Sequence, residues 1–349
     1  MKNFIKFIFL ISVIFSVLFS VSCGLSQAQK GFLSMDTYVN LTVVGKDRSK
    51  FEGILSEIEK ICNDVENQIS KTIDSSDIYK LNNRGTGADI DISDDTIDVL
   101  KTAKYIKELT GGAFEPALGE IIDLWGINEG NDKLPQKADF YPALERNKDY
   151  SISIDEINGK EIIIAENGEK LYFDLGGIGK GYALDRINKY LRKGQLSGLL
   201  VSFSSSILAA GKTKKDELWT IGVKNPLNPE KLCGVIGATN KVISVSGGYE
   251  RYIEIDGIRY CHIIDPVTGY PVDNDLLCVV VIMESKGENN GAISDALSTA
   301  LYVMGKQGAL DFYIKNIIDF EMILFVKEDT EKGFDVISTN VIFSEINNK

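Results

Sequence analysis

Apolar residues at Phe51, Ile54, Leu55, Ile58, Ile61, Cys62 and Val65 recur at three- and four-residue steps, which predicts an amphipathic helix over 49–69. A second helix is expected from Asp94 to Leu109, opened by the cap-like Ser93-Asp94-Asp95 and closed by Thr110-Gly111-Gly112. Val39–Val44 reads as a strand. Later the pattern breaks into short apolar runs at Glu161–Ala165, Leu199–Phe203, Trp219–Val223, Val242–Val245, Arg251–Ile255, Cys278–Met283 and Met322–Val326, each read as a strand. Three helices interrupt them. One carries Ala183, Ile187, Tyr190 and Leu191 on one face, and the others run over about 291–304 and 307–317. Residues 128–150 are polar, contain Pro135 and Pro142, and read as a surface excursion. Strands in runs with helices in blocks predict an α+β fold, mixed sheets with packed helices, in one compact unit over 32–349.

The first residues follow a different pattern. Lys2 and Lys6 precede an apolar run, Phe7–Phe19, broken only by Ser12 and Ser16. That run is shorter than the roughly 20 residues of a membrane-spanning helix, so residues 1–22 are expected to be a signal peptide. Ser20-Val21-Ser22-Cys23 resembles a bacterial lipobox, with Ser20 where leucine is usual, and makes Cys23 the expected lipidated residue. Residues 23–31 then read as a lipid-anchored tether.

Charge narrows the partners. The net charge is −12 and no basic run occurs outside the leader, so nucleic acid is not an expected partner. An anionic ligand would need a metal ion or helix N-termini to offset that charge. Cys62, Cys233, Cys261 and Cys278 form no CxxC pair, which argues against zinc and leaves disulfides and buried free thiols both open. The only histidine, His262, stands three residues before Asp265, which concentrates all imidazole chemistry at one place. Cys261 and His262 do not read as a dyad, because neighbours in an extended segment point to opposite faces.

Three other segments carry candidate chemistry. Leu171–Asp185 runs from a short strand through Gly176-Gly177-Ile178-Gly179-Lys180-Gly181 into a helix, which suits either a phosphate cradle or a plain strand-to-helix turn. Asp295 and Thr299 lie four apart on one helical face. They could share a Mg²⁺ ion, or simply bond to each other in a helix packed through Ala292, Ala296 and Ala300. Glu108–Gly119 places Phe114 and Glu115 just beyond a helix end, beside glycines that let a planar ring approach the backbone.

Taken in order, these segments resemble the ApbE family, the FAD:protein FMN transferases, across essentially the whole mature chain. Met35-Asp36-Thr37 resembles its N-terminal Met-Gly-Thr element, Ser70–Asn82 its serine-rich stretch, and Thr110–Pro116 its Ser-Gly-Gly-Ala-Phe-Asp-Pro element. Asp174–Asp185, Ser244–Arg251, His262–Pro271 and Ser294–Ala300 are similar to its remaining motifs. The resemblance implies a T-fold-like architecture and a reaction in which a threonine hydroxyl of an acceptor protein attacks the FMN-side phosphorus of FAD. AMP leaves, and FMN stays on the acceptor through a phosphoester bond. It also implies metal ligation of Mg²⁺ by Asp295, Thr299 and the carbonyl of Gly177. FAD contacts would come from Met35, Thr72, Ala113, Phe114, Glu115, Asp174, Lys180 and the backbone near Ile264, with His262 or Asp265 assisting deprotonation of the acceptor. A lipid-anchored place on the periplasmic face of the inner membrane fits the family, as does an acceptor that is a subunit of a membrane redox pump.

The chain departs from the family pattern at four places. Phe203-Ser204-Ser205-Ser206 stands where many members carry a Gly-Gly pair, Glu115 replaces aspartate, Gly179 replaces alanine, and Thr72 stands where tyrosine is common. The smaller Thr72 raises a competing reading, Mg²⁺-dependent FAD pyrophosphatase giving FMN and AMP. A non-catalytic FAD-binding lipoprotein is the reading from another class.

Overall fold

Ser26–Ser34 (β1) and Thr37–Gly45 (β2) pair along their whole length and are joined by the two-residue turn Met35-Asp36. Both turn residues have positive φ, 52° and 54°, the conformation that matches a tight turn to the right-handed twist of its strands. Residues 26–31 are therefore strand and not part of a tether. Their polar, alternating side chains disguise them, because β1 is the edge of its sheet and half of its residues face water. The computed structural model describes residues 24–83, 92–147, 152–157, 160–165, 171–191, 196–341 and 343–346, with backbone alone over 152–165. The expected signal peptide and Cys23 lie outside the described residues.

The chain continues through α1 (Phe51–Ile69), α2 (Asp77–Asn83), α3 (Asp94–Leu109), α4 (Gly119–Trp125) and α5 (Lys137–Arg146). Next come β3 (Ile152–Ile157), β4 (Lys160–Ala165), α6 (Gly179–Leu191), β5 (Gly198–Ser202) and β6 (Ser206–Gly211). Then follow β7 (Trp219–Asn225), β8 (Asn228–Ala238), β9 (Lys241–Gly247), β10 (Tyr252–Ile255), β11 (Ile258–Cys261) and β12 (Leu276–Glu284). The chain closes with α7 (Asn290–Ile314), β13 (Glu321–Lys327), β14 (Phe334–Ser338) and β15 (Phe343–Glu345).

An antiparallel eight-stranded sheet, β1-β2-β5-β6-β9-β12-β13-β14, forms the centre. One face buries Leu41, Val201, Leu208, Val281 and Leu324 against helix residues such as Ile58, Ile106, Ile187 and Leu297. The other face sets Ile207, Ile243, Val280 and Phe325 against Trp219, Ile221 and Ile236 of the small sheet β15-β8-β7. Alternate residues of each central strand thus enter opposite cores, which is why these strands read as continuous apolar runs. The α+β class expected from the sequence is the one observed.

A third, smaller core joins α4 and α5 to the β10–β11 hairpin through Ile121, Trp125, Phe140, Leu144, Ile253 and Ile264. It corrects the reading of 128–150 as a surface excursion. Residues 137–146 are helical, with Phe140 fully buried and Gln136 and Asp139 forming a capping box. Only Phe140, Ala143 and Leu144 make the apolar stripe, and Pro142 interrupts it, so the pattern is faint. The expected break near residue 305 is present: Gly305 has φ 71° and kinks α7, and Asp275 Oδ1 accepts from Lys306 N (3.0 Å) where the helix restarts. Cys62, Cys233, Cys261 and Cys278 are free and buried. Among the described residues no helix is long and apolar enough to cross a membrane.

Candidate active site

At one end of the eight-stranded sheet, the β1–β2 turn, the β5–β6 connection and the end of β9 surround a cleft of about 330 Å³. Met35, Thr72, Ala113, Phe114, Glu115, Asp174, Gly177, Lys180, His262, Ile264, Asp295 and Thr299 all line it. Residues from six separate sequence regions therefore converge on one place. Asp265 is the exception and does not line the cleft. Its carboxylate instead accepts from Val267 N (2.8 Å) and Thr268 Oγ1 (2.9 Å) and ties together the 265–270 turn.

His262 is held by one residue twice. Its backbone N–H donates to the Arg251 carbonyl (3.1 Å), and its Nδ1 lies 3.1 Å from the same oxygen. A carbonyl can only accept, so Nδ1 carries the proton and Nε2 keeps the lone pair. Burial, reinforced by the nearby charges of Arg251 and Lys180, pulls the imidazole down to about 4, against the opposing pull of the carbonyl contact and Asp174. His262 is therefore neutral near pH 7, with a basic Nε2.

Asp295 of α7 is positioned by two other elements. Gly181 N of α6 donates to Oδ2 (2.9 Å) and Ser206 Oγ of β6 donates to Oδ1 (2.8 Å). Helices α6 and α7 come close enough for this only because two glycines meet. A Cβ on Gly181 would stand 2.1 Å from the Gly291 carbonyl oxygen, and one on Gly291 would stand 2.3 Å from that of Gly181. Asp185 of α6 caps the start of α7 by accepting from Gly291 N and Ala292 N, both at 2.8 Å. Thr299 Oγ1 bonds to the backbone carbonyl of Asp295 (3.4 Å), not to its carboxylate, and also meets Ser246 Oγ (3.2 Å). Gly177 borders the same spot, since a Cβ there would be 3.5 Å from Thr299 Oγ1.

These groups fit a magnesium ion. Each Asp295 oxygen accepts one hydrogen bond and retains a further lone pair. A single carboxylate, a hydroxyl and a carbonyl leave most of an octahedron to water and phosphate, as Mg²⁺ prefers. Among the described residues no group of three His, Cys, Asp or Glu is placed for a softer metal.

Three polar residues of the cleft escaped the sequence reading as site residues. Lys71 bonds to Asp174 (2.8 Å) and to Asp123. Burial opposes its charge, but the two carboxylates outweigh it and hold the ammonium above its ordinary value. Arg251 spans two rims, donating to Asn128 Oδ1 (3.2 Å) and to the Asp36 carbonyl (3.5 Å). Ser204, in the β5–β6 connection, has φ 68°, a left-handed conformation. Adjacency to Thr72 could have signalled Lys71. Nothing in the spacing signals the bridging by Arg251. Glu115, for its part, accepts from Ala117 N (2.9 Å) and pairs with Lys107 (2.9 Å) while bordering the cleft. Lys180 Nζ donates to the Gly176 carbonyl (3.2 Å).

The profile of the ApbE family matches residues 35–324. The FAD:protein FMN transferase of Haemophilus influenzae is 29% identical over 339 residues, 93% of this chain and 94% of that protein. Its counterpart in Treponema pallidum is 29% identical over 302 residues, 81% of this chain and 82% of that protein. The ApbE protein of Thermotoga maritima superposes with a TM-score of 0.75 at 27% identity, covering 90% of this chain and 97% of that one. The flavin transferase ApbE from Vibrio cholerae does so with a TM-score of 0.77 at 24% identity, covering 90% and 98%. The family match spans every segment that lines the cleft, and this chain belongs to the ApbE family.

Proposed function

We propose that this chain transfers the FMN moiety of FAD to a threonine of an acceptor protein in a Mg²⁺-dependent reaction that releases AMP. The observation that carries this is the sharing of one cleft by a neutral His262 and the Asp295–Thr299–Gly177 group. The relatives' printed activity, FAD:protein FMN transferase, supports it. Asp295, Thr299 and the Gly177 carbonyl would hold Mg²⁺, which when bound neutralises pyrophosphate charge. The threonine Oγ forms a bond to the FMN-side phosphorus while its proton passes to His262 Nε2. The bond between that phosphorus and the bridging oxygen breaks, and AMP departs with the electron pair. Lys180 supplies fixed positive charge to the pyrophosphate. Phe114 and Met35 offer apolar faces to the flavin ring.

Hydrolysis is a second reading supported by one feature. Thr72 is exposed at the rim with its Oγ1 3.0 Å from Ser70 Oγ, and its small side chain leaves a path for water. The acceptor we propose is an extracytoplasmic flavoprotein, such as a subunit of a membrane redox pump. The transferase itself would be anchored through a lipid on Cys23 at the periplasmic face of the inner membrane.

Flavin fluorescence of the acceptor on a denaturing gel, after incubation with the protein, FAD and Mg²⁺, tests the proposal. A fluorescent band is expected, lost with Asp295→Ala and reduced by about 10²–10⁴-fold in rate with His262→Ala. Unchanged FAD and a dark acceptor would contradict it.

A further inference from the structure

The two ends of the central sheet differ. The cleft occupies the end at which β1 finishes and β6 begins. At the opposite end, register brings Ser26 beside Gly45, Val44 beside Gly198 and Gly198 beside Gly211. Two of the loops that leave from there are basic. Residues 46–50 carry Lys46, Arg48 and Lys50 against one acid, Asp47. Residues 212–217 carry Lys212, Lys214 and Lys215 against Asp216 and Glu217. All six cations are exposed, and the adjoining Leu218 is 39% exposed. Lys50 and Lys212 pair with Asp47 (3.3 Å) and Asp216 (3.2 Å), but such surface pairs are weak and exchange readily for other anions. Net positive charge in these two loops runs against a chain charge of −12, while further along the same end Lys241 is matched by Glu284 (2.9 Å) and Glu321 (3.4 Å).

The chain enters the fold at this same end. Strand β1 starts at Ser26, so only Gly24 and Leu25 separate it from Cys23. No slack tether remains. We infer that the end of the sheet bearing the 46–50 and 212–217 loops is a membrane-facing surface that rests on anionic phospholipid headgroups and points the cleft away from the bilayer. The inference rests on the proposed lipidation of Cys23. Cations close to a negatively charged leaflet are attracted within about a Debye length, and a two-residue link holds these loops in that range. The eight residue steps of β1 then set the cleft about 26 Å above the headgroups, at roughly 3.3 Å per residue. An acceptor threonine served by this enzyme must reach that height, which selects acceptors whose flavinylated loop stands clear of the membrane.

Environment-sensitive labels on Ser49→Cys and Val267→Cys, in full-length protein taken from membranes and reconstituted into vesicles, test this. The four buried thiols do not compete for label, because burial pushes Cys62 and Cys278 up to about 12 and Cys233 up to about 11, and raises Cys261 as well. Vesicles of phosphatidylglycerol and phosphatidylcholine would carry a quencher on the lipid headgroup. Strong quenching at position 49 and little at 267 is expected. The contrast should shrink with Lys46→Glu/Lys214→Glu/Lys215→Glu, and at about 1 M salt, where the Debye length falls to about 3 Å. Equal quenching at both positions in acylated, vesicle-bound protein would overturn the orientation while leaving anchoring intact. Protein that carries no acyl group and fails to float with the vesicles would overturn the anchoring, and the orientation with it.

Discussion

His262 takes its protonation state from its surroundings more than from its own chemistry. Burial first, then Arg251 and Lys180, lower it to about 4, so the free enzyme loses its base only in strong acid. The acid limb of kcat/KM for FMN transfer is expected near pH 4, not near the ordinary imidazole value of about 6.5. Bound FAD brings negative charge beside the ring and favours the protonated form, so the limb in kcat should sit higher than the limb in kcat/KM. A pH–rate profile measures both. Coincident limbs at about 6.5 would show that the cleft does not perturb the ring. Ser206 acts through Asp295 by donating to Oδ1. Ser206→Ala should weaken Mg²⁺ dependence by about 10–100-fold in apparent affinity while leaving the fold intact, read by titrating Mg²⁺ against AMP release. Much of this site was legible from the sequence, because glycines, an Asp–Thr pair and a lone histidine occur in a recognisable order. Asp265 was not, because spacing along the chain does not say whether a carboxylate faces a cleft or ties its own turn. Lys71 and Arg251 were missed as site residues because their roles come from partners far away in sequence, Asp123 and Asp174 for the one, Asn128 and Asp36 for the other.

At the scale of elements, the contact of α6 with α7 fixes the distance between the glycine turn and Asp295. Gly291→Ala forces a methyl into the Gly181 carbonyl and should cost about 1–3 kcal/mol by overpacking, with activity falling further as the helices part. Thermal unfolding and transfer assays on this one variant measure both, and an unchanged melting temperature would contradict the close approach. Strand β1 gives the second test. Were residues 24–31 a tether, deleting them would be harmless. As an edge strand they contribute a ladder from Ser26 to Gly31 and the salt bridge of Lys30 with Glu59 (2.5 Å). Deletion should lower the melting temperature and disturb the Met35-Asp36 turn at the cleft. Helices with a full apolar stripe, such as α1, were readable from spacing. The edge strand β1 and the thinly apolar α5 were not, since each buries too few residues to leave a periodic signal.

On the scale of the whole molecule, one antiparallel sheet carries helices on one face and a second sheet on the other, and puts its chemistry at one end. Strand order could not be read from the sequence: β5 and β6 insert between β2 and β9, and the β2–β5 pairing spans more than a hundred residues. That insertion brings Ser206 to Asp295 and the β1–β2 turn to the loop of His262, so the global topology builds the site. The central claim is that this end of the sheet couples cleavage of FAD to modification of a protein. Quantifying AMP and acceptor-bound FMN in the same reaction, by chromatography and by intact mass of the acceptor, tests it most directly. Equal amounts, both abolished by Asp295→Ala, are expected. AMP matched by free FMN, with an acceptor of unchanged mass, would show that the cleft hydrolyses FAD and does not transfer FMN.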